Sequence, residues 1–475
     1  MNTRQSSSRN TPADPAPEAI RDAKLAPFWL DQPGAPAPSP EFTGAGECDL
    51  AVVGAGFSGL WAALLAKERD PGLDVVVLDG GSVGGQASGR NGGICMGSLT
   101  HGVAQGAELF PREEERLVQL GMGTLDAIER TIARECIDCG WERTGELDIA
   151  TAPWHLEGLR EERAHYARLG LEHQWLDREE LQADVHSPTY LAGLWHHDAA
   201  IVDPARLAWG LARVCAERGV RFFERTPVTA LERTPAGVML RARGGTLRAR
   251  SAVLATNAFR PLLRRLRLSV IPVYDYALMT EPLSEAQFES VGWSRRQALA
   301  DAGYLFHYYR LTEDRRILWG GWDALYHYGS RIASRLEDRP DEHAELAGHF
   351  FATFPQLEGL RFTHRWAGVI DTCSRFCQFW GTALGGRVSY VLGYTGLGVA
   401  ASRFGAEVAL DLLGGPTELT ELRFVKSRPL PFPPEPFRLP LIEVTRRSTQ
   451  RAESAGGRRN LWLRSLDRFG LGFDS

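Results

Sequence analysis

Short, uninterrupted apolar runs alternate along this chain with stretches whose apolar residues recur at helical spacing. Runs of the first kind predict strands buried on both faces, and stretches of the second kind predict helices packed against them. Leu50, Ala51, Val52 and Val53 form the first run and residues 73–78 the second, with a helical stretch between them. Residues 112–139 set Leu117, Leu120, Leu125, Ile128 and Ile132 among charges, which predicts a long amphipathic helix. Asp203 followed by Pro204 reads as an N-cap and a first helical position, opening a helix that leads to a strand at 220–223. Further strands are predicted around 273–279, 304–310 and 316–321, then a helix around 341–354.

The turn after the first strand carries chemistry. It reads Gly54-Ala55-Gly56-Phe57-Ser58-Gly59, and the second strand ends in Asp79, followed by Gly80. Gly54 allows the tight turn, Gly56 lets the backbone approach a pyrophosphate, and Gly59 lets the helix pack closely on the strand. The helix N-terminus then faces the phosphates, and the Asp79 carboxylate can accept from a ribose hydroxyl. Strand, glycine turn, helix, strand and acid in this order predict a dinucleotide site.

Beyond Asp79 the chain enters a long loop that ends in Gln86-Ala87-Ser88-Gly89-Arg90-Asn91-Gly92-Gly93, which suits an extended cofactor better than the further strand and helix repeats of a nicotinamide enzyme. Here the sequence resembles the D-amino-acid oxidase-like superfamily of FAD enzymes (glycine and sarcosine oxidase-like), and this loop most resembles its γ-glutamylputrescine oxidase-like branch. Three later segments follow in the superfamily's order: Thr226-Pro227-Val228, Ala252 to Thr256 and Asn257, and Gly393-Tyr394-Thr395-Gly396-Leu397-Gly398 before an apolar helix. The resemblance implies that Val228 packs over the adenine and that the last motif turns its backbone amides toward the flavin pyrimidine. No second dinucleotide site is visible, so electrons are expected from a small substrate. The expected fold is α/β (α+β overall), with a Rossmann-like FAD-binding domain and a discontinuous antiparallel-sheet substrate domain. The FAD domain is assigned 47–110, 200–270 and 363–415; the substrate domain and helical elements take 111–199 and 271–362. A cleft between the two is the expected binding site.

Length and composition fit this division. The chain has 475 residues, 44% hydrophobic, enough for two cores. Its net charge of −5, without a basic stripe interleaved with aromatics, argues against nucleic acid as a partner. No apolar run approaches the ~18 residues of a membrane span, and residues 1–46, rich in Ala, Pro and Ser, read as a disordered leader without a secretory core. A cytoplasmic enzyme is expected. Within the leader, Phe28, Trp29 and Leu30 are candidates for docking onto the body. The seven scattered cysteines do not read as a disulfide framework, and no metal site is expected from Cys136 and Cys139. Cys373 and Cys377 lie in the general region where some relatives attach FAD, but neither is in clean register, so non-covalent FAD is expected. Residues 416–475 form a Pro-rich, then basic tail with eleven Lys plus Arg against six Asp plus Glu over 421–475. Docking through Leu461, Leu463, Leu466 and Phe469 is the expected role, and peripheral contact with an anionic membrane the weaker alternative.

The resemblance implies oxidation of a C–N bond, with a hydride equivalent passing from the carbon beside a neutral amine to flavin N5 and the resulting imine hydrolysing; the protein orients and tunes. The partners are a small-molecule amine and oxygen or another electron acceptor. Asp371, Tyr304, His307 and Arg90 are the catalytic candidates. Aligned on Trp366, Val369 and the nearby Asp371 stand about where amino-acid oxidases present a carboxylate-binding arginine and proline, so Asp371 either favours a substrate ammonium or pairs with Arg365 or Arg375. Tyr304, Phe306 and Tyr308 are read as one strand face, with His307 and Tyr309 on the other. Arg90 is a candidate charge near the flavin, and His101 reads as structural. The only lysines are Lys24, Lys67 and Lys426, so no lysine is available in the central segment to promote reaction with oxygen, and oxidase and dehydrogenase both stay open. The alternatives are an amino-acid oxidase or dehydrogenase, of the D-amino-acid or glycine/sarcosine type, with an arginine from elsewhere, and a flavin-binding scaffold without turnover.

Overall fold

The computed structural model describes residues 15–468. Two large sheets organise them. The first grows on Gly44–Val53, which pairs in parallel with Val75–Leu78 on one side and with Gly245–Leu254 on the other. Arg221–Phe223 extends it beyond Val75–Leu78, and Val388–Leu392 pairs in parallel with Gly245–Leu254. Its apolar run is covered on both faces because successive residues point opposite ways. Leu50 and Val52 face the helices, in one core with Leu60, Leu64, Leu211 and Phe404. Ala51 and Val53 face an antiparallel layer that supplies Val238, Leu240, Leu247 and Tyr390. The long helix Glu114–Arg134 buries Leu117, Leu125, Ile128 and Ile132 in the helical core of this half. That part of 111–199 therefore packs with the dinucleotide side.

The second sheet runs in the order Lys24–Leu25, Phe362–Thr372, Ile271–Thr280, Ile317–Gly321, His307–Leu311, Ala298–Asp301, Glu146–Ala150, Ala192–His196, His173–Leu176. It is antiparallel except where Ala298–Asp301 meets Glu146–Ala150 and where Lys24–Leu25 meets Phe362–Thr372. Phe362–Thr372 pairs with Ile271–Thr280 from Ile271 opposite Thr372 to Thr280 opposite Phe362. The start of 363–415, assigned by sequence to the FAD domain, therefore belongs to this sheet. One face of the sheet packs on the helix Pro340–Thr353 through an aromatic core of Tyr309, Trp319, Phe350 and Phe354. The other face is left toward the first half of the molecule.

Two sequence expectations need correction. The strand read at 304–310 begins only at His307, because the Tyr304 and Leu305 N–H groups donate to the Glu453 carboxylate instead of joining a ladder. The leader, expected to be disordered, is ordered over its described part. A short helix, Pro15–Ala19, buries Ala16 and Ala19 against the second core, and Lys24 and Leu25 add an edge strand opposite His364 and Arg365. Small side chains at Ala16 and Ala19 let the segment lie close, so its composition serves packing rather than disorder. Trp29 is only 2% exposed. Its Nε1–H donates to the Asn91 carbonyl at 2.9 Å, and the Arg310 guanidinium lies 5.2 Å from the centre of its ring.

The tail is also docked. Residues 428–436 contain no helix, as their proline content dictates; helices Arg438–Ser454 and Leu461–Arg468 follow. Glu435 accepts from Tyr326 Oη (2.6 Å) and the Gly329 N–H (3.0 Å), Arg438 donates to Ser330 Oγ (2.9 Å), and Arg446 pairs with Asp323. Leu463 is buried whereas Leu461 is 80% exposed, so Leu461 is not one of the docking residues. Phe469 lies outside the described residues. Among the described residues no helix is long and apolar enough to cross a membrane.

Trp29→Ala should lower unfolding free energy by about 3–5 kcal/mol, the range for emptying a large aromatic site. Trp29→Phe, which keeps a ring but loses the bond to Asn91, should cost about 1 kcal/mol. Denaturant midpoints of the two variants measure the difference, and equal midpoints would mean that the leader contributes no packing.

Candidate functional site

Between the two sheets lies one cavity of about 1100 Å³. Its floor is the glycine turn. Gly54, Gly56, Phe57 and Ser58 line it where the helix Phe57–Arg69 begins, and its N-cap, Gly56, has no side chain to cap the first turn, where Phe57 alone has its N–H met by a side chain among the described residues. An uncapped N-terminus of this length leaves backbone donors and a positive dipole end for an anion. The approach is possible only because two side chains are missing. A Cβ on Gly59 would collide with the Gly54 carbonyl oxygen, and one on Gly56 would stand 2.8 Å from Ser88 Oγ, which already accepts from the Phe57 N–H at 2.9 Å. Ser58 Oγ donates to Tyr394 Oη at 2.8 Å, which ties this turn to the last motif.

Asp79 stands at the end of the second strand beside Gly80. Its two oxygens accept from the Ala55 N–H (2.6 Å) and the Gly81 N–H (2.7 Å), each keeping a lone pair for a ribose hydroxyl. Burial pushes its pKa up, against the lowering effect of those two amides. The loop beyond folds on itself: Asn91 Nδ2 donates to the Ala87 and Ser88 carbonyls, and Asn91 Oδ1 accepts from the Gly93 N–H. Val228, Thr256 and Asn257 line the same cavity. Of the cofactor residues expected from sequence, all but Gly59, Gly93 and Gly393 form its wall, and those three act through backbone packing behind it.

The last motif is held from below. Asp371, buried at the end of Phe362–Thr372, accepts from the Gly393 N–H at 2.5 Å and the Tyr394 N–H at 3.2 Å. Burial pushes its pKa up to about 7, while those amides pull the other way. Arg365 pairs with Asp338, and Arg375 donates to Ser427 Oγ and to backbone carbonyls, so neither arginine is the partner of Asp371. Tyr394, Thr395, Gly396, Leu397 and Gly398 line the cavity above it. His101 Nε2 lies 2.9 Å from the Thr395 carbonyl, and burial lowers the His101 pKa to about 4. His101 is thus neutral near pH 7 and braces this turn.

The other candidates separate. Arg90 lines the cavity but is committed: it donates to Glu337 (2.7 Å), the Ala367 carbonyl (3.2 Å) and the Gly85 carbonyl (3.0 Å), while Trp366 Nε1–H donates to the Arg90 carbonyl. It clamps the loop to the second sheet. Tyr304 lines the cavity from the loop before its strand. His307 does not reach the cavity, which corrects its assignment as a catalytic candidate. Alternation turns it the other way, between Trp319 and Trp322, with Asp301 at 2.6 Å on Nδ1 and His349 at 3.1 Å on Nε2. Cys373 and Cys377 are buried and are not part of the cavity wall.

Several wall residues were not anticipated. Asp275 accepts from Tyr308 Oη at 2.5 Å, and burial pushes its pKa up to about 6. Farther along the sheet the wall carries Glu146, Asp148, Glu162, His196 and Asp198, and the tail closes another side with Leu430, Phe432, Trp462 and Leu466. The one available signal was the spacing of Glu146 and Asp148 by two in an otherwise apolar strand, which puts both on one face.

This arrangement of uncapped helix, acid, glycine loop and second amide turn fits an extended flavin dinucleotide, and comparison with known proteins agrees. A family model described as FAD dependent oxidoreductase, DAO, matches residues 49–412. Gamma-glutamylputrescine oxidoreductase of Escherichia coli (strain K12) is 31% identical over 395 residues, 81% of this chain and 88% of that protein. A probable oxidoreductase, OrdL, of Haemophilus influenzae is 28% identical over 399 residues, 82% of this chain and 88% of that protein. Glycine oxidase from Geobacillus kaustophilus shares the fold, with a TM-score of 0.65 at 19% identity over 80% of this chain and 99% of that one. The chain therefore belongs to the DAO family of FAD-dependent oxidoreductases.

Proposed function

We propose that this enzyme oxidises the C–N bond of a primary or secondary amine to an imine, and that its substrate carries positive rather than negative charge. The observation that supports this is the chemistry of the cavity wall opposite the FAD cradle: Asp275, Glu146 and Asp148 face it, whereas the arginines at its edge are engaged or exposed. Arg90 is bound to Glu337 and Arg446 to Asp323, Arg438 donates to Ser330, and Arg260 is exposed. Arg438 is itself buried in this wall, but its Nε and Nη1 donate to the Pro433 carbonyl and to Ser330 Oγ, so it does not offer a carboxylate substrate its full fork of donors. The name of the Escherichia coli relative, gamma-glutamylputrescine oxidoreductase, points to an amine as well.

FAD, held by the glycine turn, Asp79 and the last motif, would supply the acceptor for two electrons and the hydrogen of the carbon beside the nitrogen, and water would hydrolyse the resulting imine. The chain's own residues must deliver that nitrogen deprotonated. Asp275 is suited to accept the proton: it lines the cavity, Tyr308 donates to Oδ2, and a pKa of about 6 keeps the group ionised at neutral pH. Asp371 acts at one remove, since its carboxylate is engaged by the Gly393 and Tyr394 amides and also by those of Asp371 itself and Thr395.

The test is anaerobic bleaching of the flavin by amines and by their carboxylated analogues. Reduction by amines and not by the analogues is the expected outcome; the reverse order would select an amino-acid enzyme, and no reduction by either would select a scaffold. Because Asp275 must be ionised to take a proton, the rate should fall as pH drops through about 6, and Asp275→Asn should remove that limb. Asp371→Asn should weaken FAD binding by about 1–3 kcal/mol, the cost of losing charged hydrogen bonds, or roughly 5–150-fold in dissociation constant, with the ranking of substrates unchanged. Fluorescence titration with FAD measures it, and a changed ranking with intact FAD affinity would return Asp371 to the substrate. Gly56→Leu should purify without flavin, and wild-type FAD should be released by acid, with no FAD mass left on the denatured chain.

A further inference from the structure

We infer that the acidic end of the cavity is a second subsite, built to hold a distal ammonium of the substrate, so that the preferred amines are dications with their two nitrogens well separated. The inference rests on the reading of the enzyme as an amine oxidoreductase. Glu146 and Asp148 lie two apart on one strand and share a face, and His196 stands opposite Glu146 on the neighbouring antiparallel strand. Asp198 follows two residues after His196, and Glu162 comes from the helix His155–Arg168. The ligand atoms of Glu146, Asp148 and His196 lie within 4.8 Å of one another.

The charges in this cluster do not balance. His196 is sandwiched between Asp198, 2.5 Å from Nδ1, and Asp148, 3.1 Å from Nε2. Burial opposes its charge, but the two carboxylates outweigh burial and hold its pKa well above the usual histidine value. One imidazolium therefore faces the Asp148 and Asp198 carboxylates and two further carboxyl groups, Glu146 and Glu162, whose pKa values burial pushes up to about 8, so that near neutral pH both largely hold their protons until a cation is bound. Glu146 is only 6% exposed, forms part of the cavity wall, and its carboxylate accepts no hydrogen bond among the described residues. The side chains acting on it electrostatically are Asp148, His196, Asp198 and Glu162, and burial together with Asp148 pushes its pKa up, as it does for Glu162. A buried carboxylate left without a donor is costly, and a cationic ligand removes the cost. An ammonium fits better than a metal ion, because both nitrogens of His196 are already turned to carboxylates and, as an imidazolium, it has no lone pair to give.

Position in the sheet sets the substrate's length. Asp148 lies opposite Ala300, and Ala300 opposite Tyr308, the donor to Asp275. Two strand spacings, about 10 Å, thus separate Asp148 from Tyr308, and the Tyr308 hydroxyl reaches across one further strand to Asp275, so this is the least separation between the cluster and the Asp275 pair. Met96 and Leu159 line the cavity and offer apolar surface to methylenes.

The experiment compares hexamethylenediamine, hexylamine and ε-aminocaproate, which share a chain and differ in the charge of the far end. Two readouts are used on the holoenzyme: KM for flavin reduction, and calorimetric binding to dithionite-reduced enzyme, which cannot turn over. The diamine should bind about tenfold more tightly than hexylamine, the scale of one hydrogen bond to a charged group, and ε-aminocaproate most weakly. Glu146→Gln should erase the advantage of the diamine over hexylamine; Glu162→Gln, on a separate helix, makes the same test if the first variant does not fold. If amines reduce the flavin but the diamine has no advantage, or if both amines weaken equally in the variants, the subsite is overturned while the amine reading stands. If no amine reduces the flavin yet the diamine binds in a Glu146-dependent way, the amine reading fails and the cation site stands. Glu146-dependent binding of Mn²⁺ or Zn²⁺ without diamine binding would make this a metal site and overturn the ammonium assignment.

Discussion

The two amide hydrogen bonds that Asp371 accepts from Gly393 and Tyr394 join the halves of this enzyme. The carboxylate sits at the end of a strand whose other residues belong to the substrate sheet, and the amides open the turn into the helix Gly398–Gly414 of the dinucleotide half. A buried carboxylate without those donors would be strained; a turn without that carboxylate would lose the support that fixes the wall above it. A second stitch runs parallel to the first, where Arg90 and Trp366 exchange contacts between the glycine loop and the same strand. The cavity between the sheets keeps its shape because one strand carries both.

The dinucleotide half was readable because its constraints are local. A glycine turn between a strand and a helix demands small residues at fixed positions, and the collision a Cβ on Gly59 would suffer shows why. Burial on both faces wrote an unbroken apolar run at Leu50, Ala51, Val52 and Val53, and the capping pair at Asp203 and Pro204 marked its helix by the same local logic.

What stayed hidden depends on partners distant in sequence. His307 looked like a cleft residue because alternation sets it opposite Tyr308 without saying which face meets the cavity, and the Trp319 and Trp322 rings that enclose it come from the next strand and the turn after it. Asp371 looked available to a substrate because the amides that occupy it lie more than twenty residues further on. The leader's composition suggested disorder, but order there comes from an edge strand and from the pocket around Trp29, which are features of the second sheet and of Asn91. The acidic cluster is brought together by strand pairing between Glu146 and His196, fifty residues apart.

The tail offers a different lesson. Residues 49–412 match the family model, yet Leu430, Phe432, Trp462 and Leu466 complete the cavity wall from beyond that boundary. The cavity is thus walled by two parts of the chain, a vessel within the family match and a stopper beyond it. Such an arrangement lets the stopper be remodelled, changing what enters and how quickly product leaves, without disturbing the groups that hold the flavin.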